Sequence, residues 1–166
     1  MSTSPVIVEI KDHRVLVDAE DAHFLTEGRR WQVSLHGKVF YVQRKTDAGS
    51  TEYLHRLVIK APPRRVVDHI NGDGRDNRRA NLRFATTALN LANSRPRTGQ
   101  FKGVHWHTRS ETWRAMITLN RHQRHIGSFK TELEAALAYD IVANRVWGGF
   151  SRLNFPDLLT LMDVGD

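Results

Sequence analysis

The residues of this chain best equipped for chemistry lie within one stretch, VVDHINGDGRDNRRANLRFATTALNLANSR, residues 66–95. It places Asp68 and His69 side by side at the end of an apolar run and follows them with a loop dense in Asn, Asp, Gly and Arg. Asn81 then precedes a short apolar segment, and Asn90 falls inside a predicted helix. Asp68 and Asn90 both offer oxygen, the donor that a hard divalent cation such as Mg²⁺ requires, and both can face the gap between strand and helix. Neighbouring residues of a strand point to opposite sides, so His69 is directed away from Asp68, where an imidazole can take a proton from water. The Asn81 side-chain carbonyl is expected to accept the other ring N–H and so fix tautomer and orientation. Arg75, Arg78, Arg79 and Arg83 suit contacts to phosphate. Together these groups describe hydrolysis of a phosphodiester. A calcium loop is the competing reading: starting at His69, it puts Asn71, Asp73 and Gly74 in EF-hand-like places. It fails because His69 is a poor calcium ligand and Ala80 stands where a bidentate Glu is needed.

The elements that must position these groups can be traced by patterning. Residues 5–60 alternate short apolar runs with turns: VIVEI, RVLV, then WQVSL and VFYVQR around His36-Gly37-Lys38, a predicted β-hairpin over Trp31–Arg44. A short helix is expected over 18–25, capped by Asp18 or Asp21. Leu54–Lys60 runs into Pro62-Pro63, a stop for regular structure. Across 53–95, Val66-Val67 reads as a strand, 70–79 as a polar loop and Leu82–Ala85 as a second strand. A helix capped by Thr86 or Thr87 then runs to about Ser94, with Leu89 and Ala92 available for packing.

Composition narrows the partner. The 166 residues carry a formal charge of +7 and a pI near 10.2, a balance that suits a polyanion, most simply nucleic acid. Cysteine is absent, which excludes disulfides and thiolate zinc sites. No basic-then-apolar leader and no run of bilayer length is present, so a soluble, unexported, cytoplasmic protein is expected.

The run D-H-I-N-G-D…D-N-R…N-L-R…T…N-L-A-N closely resembles the HNH endonucleases of the phage and intron-encoded homing type, in which the last motif residue is often Asn. The resemblance covers 55–95 and extends back through His55-Arg56-Leu57. It implies a ββα-metal fold, one divalent ion (Mg²⁺, or Mn²⁺) and cleavage leaving 5′-phosphate and 3′-hydroxyl ends. By position it makes His69 the general base, Asp68 and Asn90 the metal ligands and Asn81 the residue that orients the base. His55 matches an upstream His-Arg pair. Many relatives brace this motif with a zinc held by four cysteines; this chain has none, so its N-terminal β region must supply the support.

Residues 94–99 have the composition of a linker, and the resulting division is 1–95, a linker at 96–100, 101–156 and a tail at 157–166. From Arg95 to Lys130 there are eight Lys or Arg, one acid (Glu111) and four histidines. Period-2 alternation runs through GVHWH, TWRAMITL and QRHIGSF, and Thr131 with Glu134 forms a capping box for a helix ending at Gly148-Gly149. Val104, Trp106, Trp113, Ala115, Ile117 and Ile126 fall on the face expected to meet that helix, whose own packing face includes Leu133, Ala136, Leu137, Tyr139, Asp140, Ala143 and Trp147. His105, His107, Arg114, Met116, Thr118, Arg121, Gln123 and His125 fall on the other face of the sheet. The pieces KGVHW, TWRAMI, IGSF, ELEAALAYDIVAN and SRLNFP resemble the DNA-binding domain of plant ethylene-response factors, the APETALA type. That resemblance implies that the sheet faces DNA, with Lys102, His105, His107, Arg109, Arg114, Thr118 and Gln123 as contacts.

The expected architecture is therefore α+β: a ββα-metal nuclease unit with an N-terminal β-hairpin region, followed by a three-stranded antiparallel sheet packed on one helix. The expected function is metal-dependent, site-specific cleavage of double-stranded DNA by a monomer or dimer. The alternative is a DNA-binding regulator without catalysis. An RNA-binding role lacks the stacked aromatics of the common RNA modules.

Overall fold

The structure, a computed structural model, describes residues 5–28 and 30–158. The C-terminal tail therefore lies mostly outside the described residues. By its contacts the chain divides into two compact units, Met1–Thr86 and Thr87–Asp166.

The first unit consists of small antiparallel sheets around one apolar cluster. Strands β1 (Val6–Ile10) and β2 (His13–Val17) pair as a hairpin, and β3 (Gln32–His36), β4 (Val39–Lys45) and β5 (Thr51–Tyr53) form a sheet in that order. The predicted hairpin is present, with His36 opposite Val39 and Gly37 at φ 64° making the tight turn that a side chain would disfavour. Strands β6 (Val66–His69) and β7 (Leu82–Ala85) form the third sheet. Val15, Val17, Trp31, Val42, Leu54, Val58 and Leu82 are buried together, so β7 shares its core with the N-terminal strands.

One local expectation in this unit changes. Over 18–25 a 3-10 turn (Ala19–Asp21) precedes the one-turn helix α1 (His23–Thr26), and neither is capped by a side chain. The two carboxylates expected as caps go elsewhere: Asp18 accepts the Arg79 backbone N–H, and Asp21 receives the Arg79 guanidinium at 2.8 Å. For both carboxylates a distant residue, Arg79, outcompetes the local amides, through its backbone N–H at Asp18 and its guanidinium at Asp21. Leu54–Val58 forms helix α2. Arg56, on that helix, donates to the carbonyls of Pro62 and Arg65 and holds the turn that leads into β6.

The second unit begins with α3 (Thr87–Ala92), whose carbonyl end is tied down within the unit. The Lys102 ammonium meets the carbonyls of Leu91, Ala92 and Ser94, and Arg152 donates from its backbone N to Ala92 and from Nε to the Asn93 carbonyl. Strands β8 (Val104–His107), β9 (Thr112–Leu119) and β10 (His122–Phe129) form an antiparallel sheet with β9 central. Helix α4 (Glu132–Trp147) begins with the predicted Thr131/Glu134 capping box. It buries Ala135, Ala136, Tyr139 and Ala143 against Val104, Ala115 and Ile117. Small residues let the helix lie close to the sheet, and Gly103, at φ 76°, leaves room for the Tyr139 ring where a Cβ would collide with it. The buried Asp140 carboxylate accepts the backbone N–H of Asn154 and Phe155, which locks the closing segment in place. Leu133, expected on the packing face, is instead exposed in the first turn of α4. No helix among the described residues is long and apolar enough to cross a membrane.

Candidate active site

Asp68 and His69 end β6 and are 4% and 5% exposed. Pleating sends them apart, as expected. Asp68 lies opposite Arg83 in the β6–β7 register, and its Oδ2 accepts from both Nε and Nη2 of that guanidinium at 2.8 Å. His69 turns toward the N-terminal sheets. Its ring meets that of His55 at 5.1 Å, edge to face, and that of Tyr41 at 6.3 Å. Tyr53 closes the cluster, 5.5 Å from His55 and 5.9 Å from Tyr41.

The loop from Ile70 to Asn81 satisfies itself. Asn81 Oδ1 accepts the Asn71 backbone N–H, and its Nδ2 donates to Asn71 Oδ1 and to the Asp76 carbonyl. Asn71 also donates to the Asp76 carboxylate, and Asp73 accepts the Arg75 backbone N–H. The expected bond from His69 to Asn81 is therefore not made, because a polar loop leaving a sheet must pair its own amides and Asn81 sits at its base. The residue that reaches the imidazole is Asn77, fully buried, with Oδ1 3.4 Å from His69 Nε2. The sequence places Asn77 in the D-N-R run, but nothing in its spacing separates it from its neighbours.

The N-terminal sheets hold this loop from outside, as the lack of cysteine required. Leu16 donates to the Arg75 carbonyl and accepts the Asn77 N–H, a parallel bridge between β2 and the loop. Gly74 packs against β4 so closely that a Cβ there would lie 1.8 Å from the Phe40 carbonyl oxygen. The Arg75 guanidinium covers the Phe40 ring at 4.9 Å.

Burial shapes the protonation of the cluster. It lowers the pKa of His69 despite the Asn77 bond and the nearby carboxylates of Asp68, Asp73 and Asp76, so the ring is neutral at neutral pH. His55 is pulled down to about 3 by burial, by His69 and by Arg56, and its Nδ1 is buried without a hydrogen-bond partner. Burial, Tyr53 and Asp68 raise the pKa of Tyr41, so its phenol stays protonated. Sequence reading overlooked Tyr41, Tyr53 and Asn77, which reach the site only through tertiary contact.

The four arginines expected at phosphate are each ion-paired: Arg75 with Asp73, Arg78 with Asp76, Arg79 with Asp21 and Glu20, and Arg83 with Asp68. Their side chains are thereby held around the loop. Asn90 lies half-buried on α3, in the second unit. Among the described residues, no three His, Cys, Asp or Glu side chains group closely enough to hold a metal ion. An ion bound through Asp68 would need its remaining donors from amides, water and substrate oxygens.

On the second unit, His105, Trp106, His107, Arg114, Met116 and Gln123 line one shallow concavity on the sheet. Four of the expected contacts, His105, His107, Arg114 and Gln123, are thus brought together, while Thr118 is exposed opposite Gln123 and Arg109 is exposed in the β8–β9 turn. Lys102 differs, since its ammonium is engaged by the α3 carbonyls. Trp106 also departs from expectation: it is 48% exposed at the end of an edge strand, edge-on to Trp113 at 5.2 Å, outside the cluster beneath α4.

Residues 52–92 match the HNH endonuclease family, and they contain α2, β6, the loop, β7 and α3. The match supports an HNH nuclease acting on DNA. No solved structure matches the chain.

Proposed function

We propose that the chain is a metal-dependent, site-specific DNA endonuclease of the homing type, working in the cytoplasm of the cell that carries its gene. The observation that carries this reading is the buried Asp68-His69 pair at the end of β6, with the neutral imidazole fixed by Asn77 inside the matched segment. With Nε2–H donating to Asn77, the His69 lone pair lies on Nδ1, and that atom takes the proton from the attacking water. The water oxygen bonds to phosphorus, the P–O3′ bond breaks, and the departing 3′ oxygen is protonated from solvent. The products are a 5′-phosphate and a 3′-hydroxyl.

The donor set suits a hard cation: a strand-end carboxylate and an amide oxygen, with no thiolate. By the family resemblance, Asp68 and Asn90 are the residues that would hold it. A divalent ion held there, Mg²⁺ or Mn²⁺, would supply charge neutralisation at the scissile phosphate. The sheet of β8, β9 and β10 would lie on duplex DNA in the manner of an APETALA-type domain, with His105, His107, Arg109, Arg114, Thr118 and Gln123 toward the groove. Arg75, Arg78 and Arg79 would approach the backbone from around the loop. One site per chain makes a nick the natural product of a monomer, and a double-strand break the product of a dimer.

The test is cleavage of supercoiled plasmid carrying the flanking genomic DNA with Mg²⁺ or Mn²⁺. The wild type should cut, and His69→Ala should bind DNA without cutting. A wild type that binds tightly and never cuts under either ion would replace this reading with that of a regulator.

A further inference from the structure

Of the four arginines around the loop, three pair with acids that the proposed chemistry does not use. Arg83 differs, because its partner is Asp68, the carboxylate assigned to the ion. The pair is built into the β6–β7 register, where the two residues lie directly opposite each other. Both donors converge on Oδ2, and both residues are largely shielded from solvent.

From this geometry, and resting on the nuclease reading, we infer that Arg83 is a positioning residue that couples cation binding at Asp68 to the arrival of a DNA phosphate. Without DNA the carboxylate and guanidinium neutralise one another. A divalent cation added to that pair leaves a net double positive charge in a poorly solvated place, which is unfavourable. A phosphodiester relieves it. The guanidinium fork fits phosphate as well as carboxylate, so Arg83 can turn from Oδ2 to a phosphate oxygen while the ion takes its place on Asp68. Because Arg83 is anchored in a paired strand, the exchange needs only side-chain movement. Ion and substrate then favour each other's binding, and by linkage each strengthens the other equally. An Arg83 that served only to hold the hairpin would leave the coupling between the two bindings the same when Arg83 is replaced.

The experiment is a Mn²⁺ titration of the full chain, followed by the electron paramagnetic resonance signal of free Mn²⁺, with and without a short mixed-sequence duplex at low salt. A His69→Ala background keeps the duplex uncut, and the same protein with Asp68→Ala added supplies the background from ions on DNA. The duplex should tighten the Asp68-dependent site by about fivefold or more. In Arg83→Gln the site should bind Mn²⁺ more tightly than in the parent without DNA, and the effect of the duplex should largely vanish. Mn²⁺ should also raise the Tm of Arg83→Gln more than that of the parent, since it offsets the charge of a carboxylate that has lost the Arg83 guanidinium. If Arg83→Gln does not fold, Arg83→Lys decides: it keeps the charge but loses the fork and should show weaker coupling than the parent, and coupling equal to the parent's overturns the inference. Asp68-dependent binding of equal strength in both arms overturns the inference. It leaves the nuclease reading intact if the protein with His69 still cuts. Absence of any Asp68-dependent Mn²⁺ site, together with absence of cleavage, removes both.

Discussion

Asn77 Oδ1 lies 3.4 Å from His69 Nε2 in a fully buried position, while Asn81 is bonded to Asn71 and Asp76 instead. Of the two amides, Asn77 alone addresses the imidazole, with its Nδ2 on the Gly74 carbonyl, whereas the Asn81 side chain is spent entirely at the base of the loop. This separation gives the first prediction. Asn77→Ala should lower kcat for cleavage by about 10- to 100-fold through loss of ring orientation, with DNA affinity little changed. Asn81→Ala should act first on stability, lowering the Tm of the first unit, because it removes three hydrogen bonds at the base of the loop. Equal Tm losses with equal activities for the two variants would contradict the assignment.

His55 sets a pH dependence of stability. Its folded pKa, about 3, lies below that of an unfolded histidine. Between the two values the unfolded chain binds the extra proton and the folded chain does not, so stability falls as pH drops through that window. The slope approaches about 1.4 kcal/mol per pH unit for this one group. Urea melts between pH 7 and pH 4 should show that loss, and His55→Phe, which keeps an aromatic ring in the cluster, should reduce it. A variant with an unchanged slope would mean that His55 is not the group responsible.

Gly74 is required for close approach. A methyl at this position meets the Phe40 carbonyl oxygen, which is backbone and cannot move aside. Gly74→Ala should destabilise the first unit by about 2–3 kcal/mol or more and should reduce cleavage, because the same loop carries Asn77. Chemical denaturation measures the first effect and a plasmid assay the second.

Lys102 and Arg109 should behave as different kinds of cation. Lys102 closes the carbonyl end of α3, so Lys102→Met should lower the stability of the second unit by about 1–2 kcal/mol. Its effect on the salt dependence of DNA binding should be small. Arg109 is exposed in a turn, and Arg109→Ala should leave the Tm unchanged while reducing the slope of log K against log salt by about one. Fluorescence anisotropy across a salt series separates the two.

Local pattern alone located the β3–β4 hairpin, the β6 and β7 strands, the three-stranded sheet and the capped helix α4. Each depends on alternation, turn residues or caps acting over a few neighbouring positions, so no distant contact is needed to read them. The Asp68-His69 pair and its divergence across β6 follow from pleating in the same way. The partners of these groups were beyond the reach of sequence. Asp18 and Asp21 look like caps until Arg79, far along the chain, draws both carboxylates. Asn77 and Asn81 are chemically identical, and only the course of the loop over Leu16 and Phe40 decides which one faces His69. Tyr41 joins the site from β4, and Lys102 is drawn from the expected DNA face to the α3 carbonyls. Sequence determined which groups are present and which strands and helices carry them. Tertiary structure decided which partner each polar group takes, because hydrogen bonds and ion pairs are won by whichever group the packed core brings within reach.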